Sequence, residues 1–530
     1  MAPPTLTSSA RPPAAAGALR TFVYVLAVVA LCVASRIPQL RSPNLLADGD
    51  ESILGLMGKH VAEGKEFPIF FYGQHYAFSP VETVAAAASF LAAGVGAIPL
   101  KAAGLALWTI GVVFLFLAGA RRLGPSCSFW IAALLVLNPA WAVWSLRDGG
   151  GYLTSFAASA FLMWLLAQNR EHDSPIRWAV AGALTALIYL AQPLWLPGML
   201  PIVAVVLLSR RRLTFAVIYL AIAAAAILSV KFGTATTAEA WGGPTMGNGD
   251  LAGSLPLVAR QIYVAMTGSY YLYWPIDPPG PATSVIAIIW CIVIPVVVLI
   301  QLYRVITRRF CPVSHLLFVS VTATIVAEWT LLSARDPRYM LPLFALLVAL
   351  AGVEVVDLIN RRAESKAAVV LLTGAMAFVG AVSMREYAAF NFLWTNPPAR
   401  WSEARRLQQV FGYLQVKDVR HVFSMNGMLD SQLTFYSNER VVSRWADPQG
   451  RYPAYVREVD RALANGEPVA VVGYTHESGA PGCWDVPICT GGIERLVPNP
   501  EAIFTVDGKY FVYVGADRDL LTKLGFRFWN

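Results

Sequence analysis

Apolar runs long enough to cross a membrane recur along this chain, at 21–38, 101–121, 129–146, 152–168, 177–193, 196–209, 213–231, 283–303, 314–333, 338–358 and 367–384. About 20 helical residues cross the roughly 30 Å hydrocarbon core of a bilayer. Inside that core every backbone polar group must be satisfied by the segment's own structure, which leaves helices for runs of this kind. The composition agrees: 56% of the 530 residues are hydrophobic and 14% charged, against about 25% charged in an average soluble domain. An α-helical polytopic membrane protein is expected. The net charge of +8 would suggest nucleic acid in a soluble chain. Here the excess is largely Arg in short loops between apolar runs, which is a topology signal, so no nucleic-acid partner is expected.

The positions of those arginines set the topology. Residues 1–20, with Pro3, Pro4, Pro12 and Pro13, read as a disordered cytoplasmic tail. The apolar run from 21 is followed by no clear small-residue cleavage site and reads as a signal anchor. If the Ala-rich run at 82–98 does not cross, Arg121 and Arg122, Arg170 and Arg177, Arg210 to Arg212, Arg304, Arg308 and Arg309, and Arg361, Arg362 and Lys366 all fall on one side. That side is the cytoplasm. About eleven crossings result. Residues 39–81, 147–151, 232–282, 334–337 and everything after 385 lie outside. The chain then divides into the tail, a membrane domain over 21–390 with outer loops at 39–81 and 232–282, and an extracytoplasmic domain over 391–530.

In this last part charge and turn signals return. Helical periodicity marks 402–415 and 455–465, and strands are expected at 421–425, 433–436, 468–473, 504–506 and 510–514, the last two joined by a tight Asp507-Gly508 turn. The domain reads as a small α/β fold. Cys483 and Cys489 lie in it, and an oxidising compartment favours a disulfide between them over two free thiols. Cys32, Cys127, Cys291 and Cys311 read as reduced thiols.

Polar residues expected outside the membrane gather in four places. The first is Ala47-Asp48-Gly49-Asp50-Glu51-Ser52, just after the first run. Asp48 and Glu51 have the spacing of a capping box for a short helix. Asp50 is left without a structural task, and a carboxylate there can take a proton from a hydroxyl. The second is Phe70-Phe71-Tyr72-Gly73-Gln74-His75-Tyr76, followed by Glu82. Its aromatic residues read equally as interfacial anchors; Gln74 and His75 suit a sugar. Glu82 either favours its own helix dipole or faces the same cavity as Asp50. The third is Arg147-Asp148-Gly149-Gly150-Gly151-Tyr152, a flexible turn or a helix start open to an anion. The fourth is Arg335-Asp336-Pro337-Arg338-Tyr339. Its two cations oppose the helix dipole and suit a phosphate, of a substrate or of a lipid headgroup. Glu328, within an apolar run, is functional by default. The chain carries no P-loop, dinucleotide fingerprint or zinc-ligand spacing.

Taken in order, Gly49-Asp50-Glu51, Tyr72 to Tyr76, Glu82, Gly150-Gly151-Tyr152 and Arg338-Tyr339-Met340-Leu341-Pro342 resemble the GT-C superfamily of polytopic glycosyltransferases. They look most like the bacterial relatives of protein O-mannosyltransferases and of the lipid A aminoarabinose transferase. The resemblance covers roughly residues 20–390. It implies a sugar donor on polyprenyl phosphate, an acceptor hydroxyl on a protein, glycan or lipid, and inversion at the anomeric carbon. It also implies a location in the cell (inner) membrane, with the C-terminal domain periplasmic or extracellular. Asp50 would be the base, with Glu51 and Glu82 as further catalytic candidates. Arg338, with Arg335, Tyr339, Arg147, Tyr152, Gln74, His75 and Tyr72, would bind substrate and phosphate. Some members use a divalent metal ion and others do not; Asp48 and Glu51 are the candidate ligands here. The rival expectation is a flippase or transporter of lipid-linked sugars, which calls for broken, repeated spans; no internal repeat is visible.

Overall fold

Among the described residues, every run expected to span is mainly helical, with a break at 137–139 in the run 129–146. The structure, a computed structural model, describes residues 14–528 except 43–44, 75, 169–172, 211, 235–250, 268–269, 272–273, 276–279, 308–311, 331–336, 362–365, 390–402, 447–449, 476–492 and 498. His75, Arg335, Asp336, Cys311 and the Cys483–Cys489 pair lie outside the described residues. The membrane part begins with α1 (Ala14–Leu40), α2 (Gly49–Ala62), α3 (Pro80–Ala93), α4 (Ala97–Leu123) and α5 (Pro125–Val136). A short α6 (Ala140–Trp144) completes the run that α5 begins. It continues with α7 (Tyr152–Leu166), α8 (Pro175–Ala191), α9 (Leu196–Arg210) and α10 (Leu213–Thr234). Then come α11 (Leu251–Thr267), α12 (Pro281–Ile306), α13 (Pro312–Thr330), α14 (Leu341–Arg361) and α15 (Lys366–Ala389). The segment expected as an outer loop at 232–282 therefore holds a helix, α11, and a two-residue ladder of β1 (Tyr270–Tyr271) with β2 (Trp274–Pro275).

Among the described residues seven helices are long and apolar enough to cross a membrane, and α3, α5, α7 and α8 are shorter apolar helices. The bundle core is built on Trp108, Trp141, Trp178 and Trp290 with Phe116 and Phe156, all essentially buried.

The C-terminal elements are α16 (Glu403–Val416), β3 (His421–Ser424), α17 (Gly427–Tyr436), β4 (Val442–Arg444), α18 (Pro453–Ala464), β5 (Val469–Tyr474), β6 (Phe504–Val506), β7 (Tyr510–Val514) and α19 (Arg518–Lys523). The sheet order is β4-β3-β5-β7-β6. The first three strands are parallel, and β7 runs antiparallel to both neighbours. The expected hairpin over 504–514 is present. The expected strand at 433–436 is instead the end of α17. Asn426 caps that helix, its side-chain oxygen accepting from the amides of Met428 and Leu429 at 2.8 and 3.1 Å. A capped N-terminus seven residues upstream outweighs a short β-prone run.

Alternation along β5 explains how this domain meets the membrane part. Ala470 and Val472 face a core with Leu407, Val410 and Leu414 of α16. Val469 and Val471 face the opposite way, into a core that also holds Ile53, Leu54 and Met57 of α2 and Ala86 and Phe90 of α3. The docking is tight at Gly55, where a Cβ would lie 2.4 Å from the Phe435 ring. Ala47, which precedes the N-cap of α2, is held from both sides: its N–H donates to Tyr436 Oη at 2.6 Å, and Gln432 Nε2 donates to its carbonyl at 2.9 Å.

Candidate functional site

The capping box legible in the sequence is formed. Asp48 Oδ1 accepts from the Glu51 amide at 2.9 Å, and Glu51 Oε2 accepts from the Asp48 amide at 3.0 Å. The other two oxygens each meet a cation. Asp48 Oδ2 lies 2.7 Å from Arg147 Nη2, and Glu51 Oε1 pairs with Lys101, a buried lysine in the first turns of α4. Burial pushes the Glu51 carboxyl up from its usual range, against the pull of Lys101. All four oxygens of the two candidate metal ligands are thus engaged, and as placed they do not fit a metal ion. Among the described residues no group of three or more His, Cys, Asp or Glu could hold one.

Asp50 stands differently. Its side chain is 25% exposed, against 5% for Asp48 and 3% for Glu51. Its neighbours are Arg147 Nη2 at 3.8 Å from Oδ2 and Arg451 Nη2 at 3.5 Å from Oδ1. Both contacts are longer than a good hydrogen bond, and Oδ1 carries none.

Glu82 is fully buried and caps another helix. It accepts from the Gly151 and Thr154 amides, both at 3.2 Å, so it serves the N-terminus of α7 rather than that of α3. The turn it holds is Gly149-Gly150-Gly151, all with positive φ. At Gly151 glycine is required: φ is +76°, and a Cβ would lie 2.4 Å from the Ala191 carbonyl oxygen. The Asp148 carboxyl is buried with no hydrogen-bonded oxygen. Burial pushes it well above the usual carboxylate range, helped by the charges of Glu82 and Glu51.

The remaining expected residues divide in two. Arg147 lies over the Trp144 ring at 4.6 Å, Trp144 packs on Tyr152 at 4.9 Å, and Arg338 lies 5.8 Å from the Tyr152 ring and 5.4 Å from that of Tyr339. These contacts link Arg338 and Tyr339 to the acidic turn. Tyr72 points away from it, bonding Glu66 and lying 2.8 Å from His60 Nδ1. Gln74 is half-buried on the adjoining turn, its amide donating to Phe71 O at 3.0 Å. Glu328 is buried in α13.

Residues that sequence reasoning did not single out complete the surroundings. Lys101 was detectable as a cation at the head of an apolar run; Arg451, Asp430 and Glu439 carried no signal. Burial would raise Glu439, but hydrogen bonds from His60, Lys59 and Tyr455 outweigh it and hold the carboxyl well below the usual range. Burial pushes Asp430, in α17, up to about 7, against hydrogen bonds from Ser431 and the charges of Arg451 and Arg444.

The folded chain therefore keeps a proton on Asp430 that the unfolded chain has lost. The stability tied to it is full below about pH 4 and is lost as pH rises through about 7. Asp430→Asn should gain on the wild type between pH 5 and 8.5, by at most about 3 kcal/mol. Melting curves in detergent at both pH values check this; a constant gap would show that Asp430 ionises unhindered.

No protein-family model matches the sequence, and no curated protein matches it. Solved structures do. ArnT from Cupriavidus metallidurans in the apo state matches with a TM-score of 0.56 at 15% identity, covering 95% of this chain and 98% of that one. The same protein bound to undecaprenyl phosphate matches with a TM-score of 0.56 at 13% identity, covering 96% and 99%. The likeness is one of fold and runs nearly end to end. The fold agrees with the GT-C resemblance of the sequence.

Proposed function

We propose that this chain is a membrane glycosyltransferase that moves a sugar from a polyprenyl-phosphate donor to an acceptor hydroxyl, with inversion. One observation carries the reading: in a turn crowded with buried carboxylates, Asp50 alone is partly open to solvent and loosely held between two arginines. The shared fold with a protein seen bound to undecaprenyl phosphate supports the donor class.

In this reading the acceptor oxygen attacks the anomeric carbon from the face opposite the phosphate. The carbon–oxygen bond to phosphate breaks, and its electron pair leaves on polyprenyl phosphate. Asp50 takes the acceptor proton. Arg338, steadied by Tyr152 and Tyr339, meets the phosphate, where a guanidinium fork suits two oxygens. Arg147 adds positive charge near the leaving group. Glu82 and Asp48 act indirectly: the first holds the start of α7, and the second fixes α2 and Arg147. With eleven crossings and the Arg-rich loops inside, the site lies on the outer side of the cell membrane, and the N-terminus is cytoplasmic.

The test uses the protein in nanodiscs with a panel of labelled polyprenyl-phosphate hexoses and pentoses and host membranes as acceptor. Release of free polyprenyl phosphate is expected. Labelled donor crossing to the other leaflet intact would favour a flippase. Arg338→Ala should weaken binding of undecaprenyl phosphate by about 10- to 100-fold, the worth of one charge-assisted contact, with an unchanged melting temperature. Unaltered binding would remove Arg338 from the site.

A further inference from the structure

The second arginine beside Asp50 does not come from the helix bundle. Arg451 lies between β4 and α18, in the C-terminal part of the chain. Its place is fixed from three directions. The next residue, Tyr452, packs its ring on Tyr72 at 4.6 Å, on Tyr455 at 4.7 Å and on His60 at 5.3 Å. The Arg451 backbone closes on Gly73, where φ is +70° and a Cβ would lie 3.0 Å from the Arg451 Cα. The guanidinium lies 5.7 Å from the ring centroid of Phe71, itself buried. So held, Nη2 is aimed at Asp50 Oδ1 at 3.5 Å.

From this arrangement we infer that Arg451 is a positioning residue of the transfer site, orienting the Asp50 carboxylate through the oxygen that Arg147 does not meet. The inference rests on the reading of Asp50 as the base. Asp50 sits near the start of α2, and Arg147 alone leaves its carboxylate free to turn about χ2. A second cation on the other oxygen fixes the plane of the carboxylate. Oδ1 is itself buried and faces Arg451, so the 25% of the side chain that is exposed lies on the rest of the carboxylate, where an acceptor hydroxyl can approach. The chain thereby builds one site from two parts, and the membrane helices alone would carry it incomplete. Gly73, Phe71 and the Tyr72–Tyr452 pair are the fittings that carry Arg451 into place.

The experiment compares Arg451→Ala, Arg451→Lys and Asp50→Asn in the full-length protein in nanodiscs, with the labelled donor that the wild type turns over. Arg451→Ala should lower kcat by about 10- to 100-fold, the cost of a misaligned group. KM for the donor should stay within about twofold and the melting temperature should be unchanged. Arg451→Lys, which keeps the charge, should recover most of the loss. Wild-type kcat in Arg451→Ala overturns the proposal. So does a loss confined to donor KM, which would make Arg451 a phosphate ligand. Should Arg451→Ala melt early, Arg451→Lys decides: at wild-type stability, a kcat as low as that of Arg451→Ala overturns the proposal. If Asp50→Asn turns over normally, the base assignment itself fails; if it is dead while Arg451→Ala is normal, only the present inference fails.

Discussion

Asp50→Asn is expected to lower sugar transfer by about 10²- to 10⁴-fold, the usual worth of a general base, while the protein stays folded. The asparagine is nearly isosteric and keeps an oxygen for Arg147 or Arg451, but it cannot take the acceptor proton. Little stability should be lost, because the contacts given up are long and partly in solvent: 3.8 Å to Arg147 and 3.5 Å to Arg451. Pairs beyond hydrogen-bond distance, made by a carboxylate that is partly exposed, contribute about 1 kcal/mol. Donor binding should be retained, since the proposed ligand of the phosphate is Arg338 and that residue is unchanged. The check is single-turnover release of polyprenyl phosphate beside a melting curve. Activity within a few-fold of wild type would move the base to another group. The choices are narrow, because Glu82 and Asp148 are buried and both oxygens of Asp48 and of Glu51 are engaged.

Lys101→Met should be the most destabilising single change near the site. It leaves Glu51 buried, 3% exposed, without the cation that answers its charge. Removing one partner of a buried ion pair costs about 3–5 kcal/mol. Glu51 would have to take up a proton. Its capping oxygen, Oε2, would still reach the Asp48 amide. The expected result is a lower melting temperature that recovers partly as pH falls. The double variant Lys101→Met with Glu51→Gln should be more stable than Lys101→Met alone, because the stranded charge is gone. Equal melting of wild type and Lys101→Met would show that water reaches Glu51.

The contrast between these two carboxylates shows what could be read from the sequence. The apolar runs announced their helices, since a period and a length are local properties, and the Asp48–Glu51 capping box was legible for the same reason. Asp50 stood out by subtraction. Glu82 was legible as a helix-start acid but not as the cap of α7, because its partners, Gly151 and Thr154, lie 69 and 72 residues on. Lys101 could have been noticed and was not paired, since nothing in one sequence links it to Glu51. The strand expected at 433–436 failed because Leu433, Thr434, Phe435 and Tyr436 are β-prone in isolation, while Asn426 and the facing surface of α2 fix them as helix. Arg451 was out of reach, because it gains meaning only where the chain brings it back to Asp50.

That return has a consequence in time. The turn that carries Asp50 is made early in synthesis, yet the Ala47 carbonyl finds its partner, Gln432, only 385 residues later. At about 5–20 residues per second the ribosome needs about 20–80 seconds to supply it. Until then α2 lacks the surface against which Gly55 packs, and Asp50 lacks one of its two arginines. A nascent or truncated chain can therefore sit in the membrane with all its spans in place and still have no assembled centre. If the turn is the transfer site proposed above, activity is expected only once the last part of the chain has arrived.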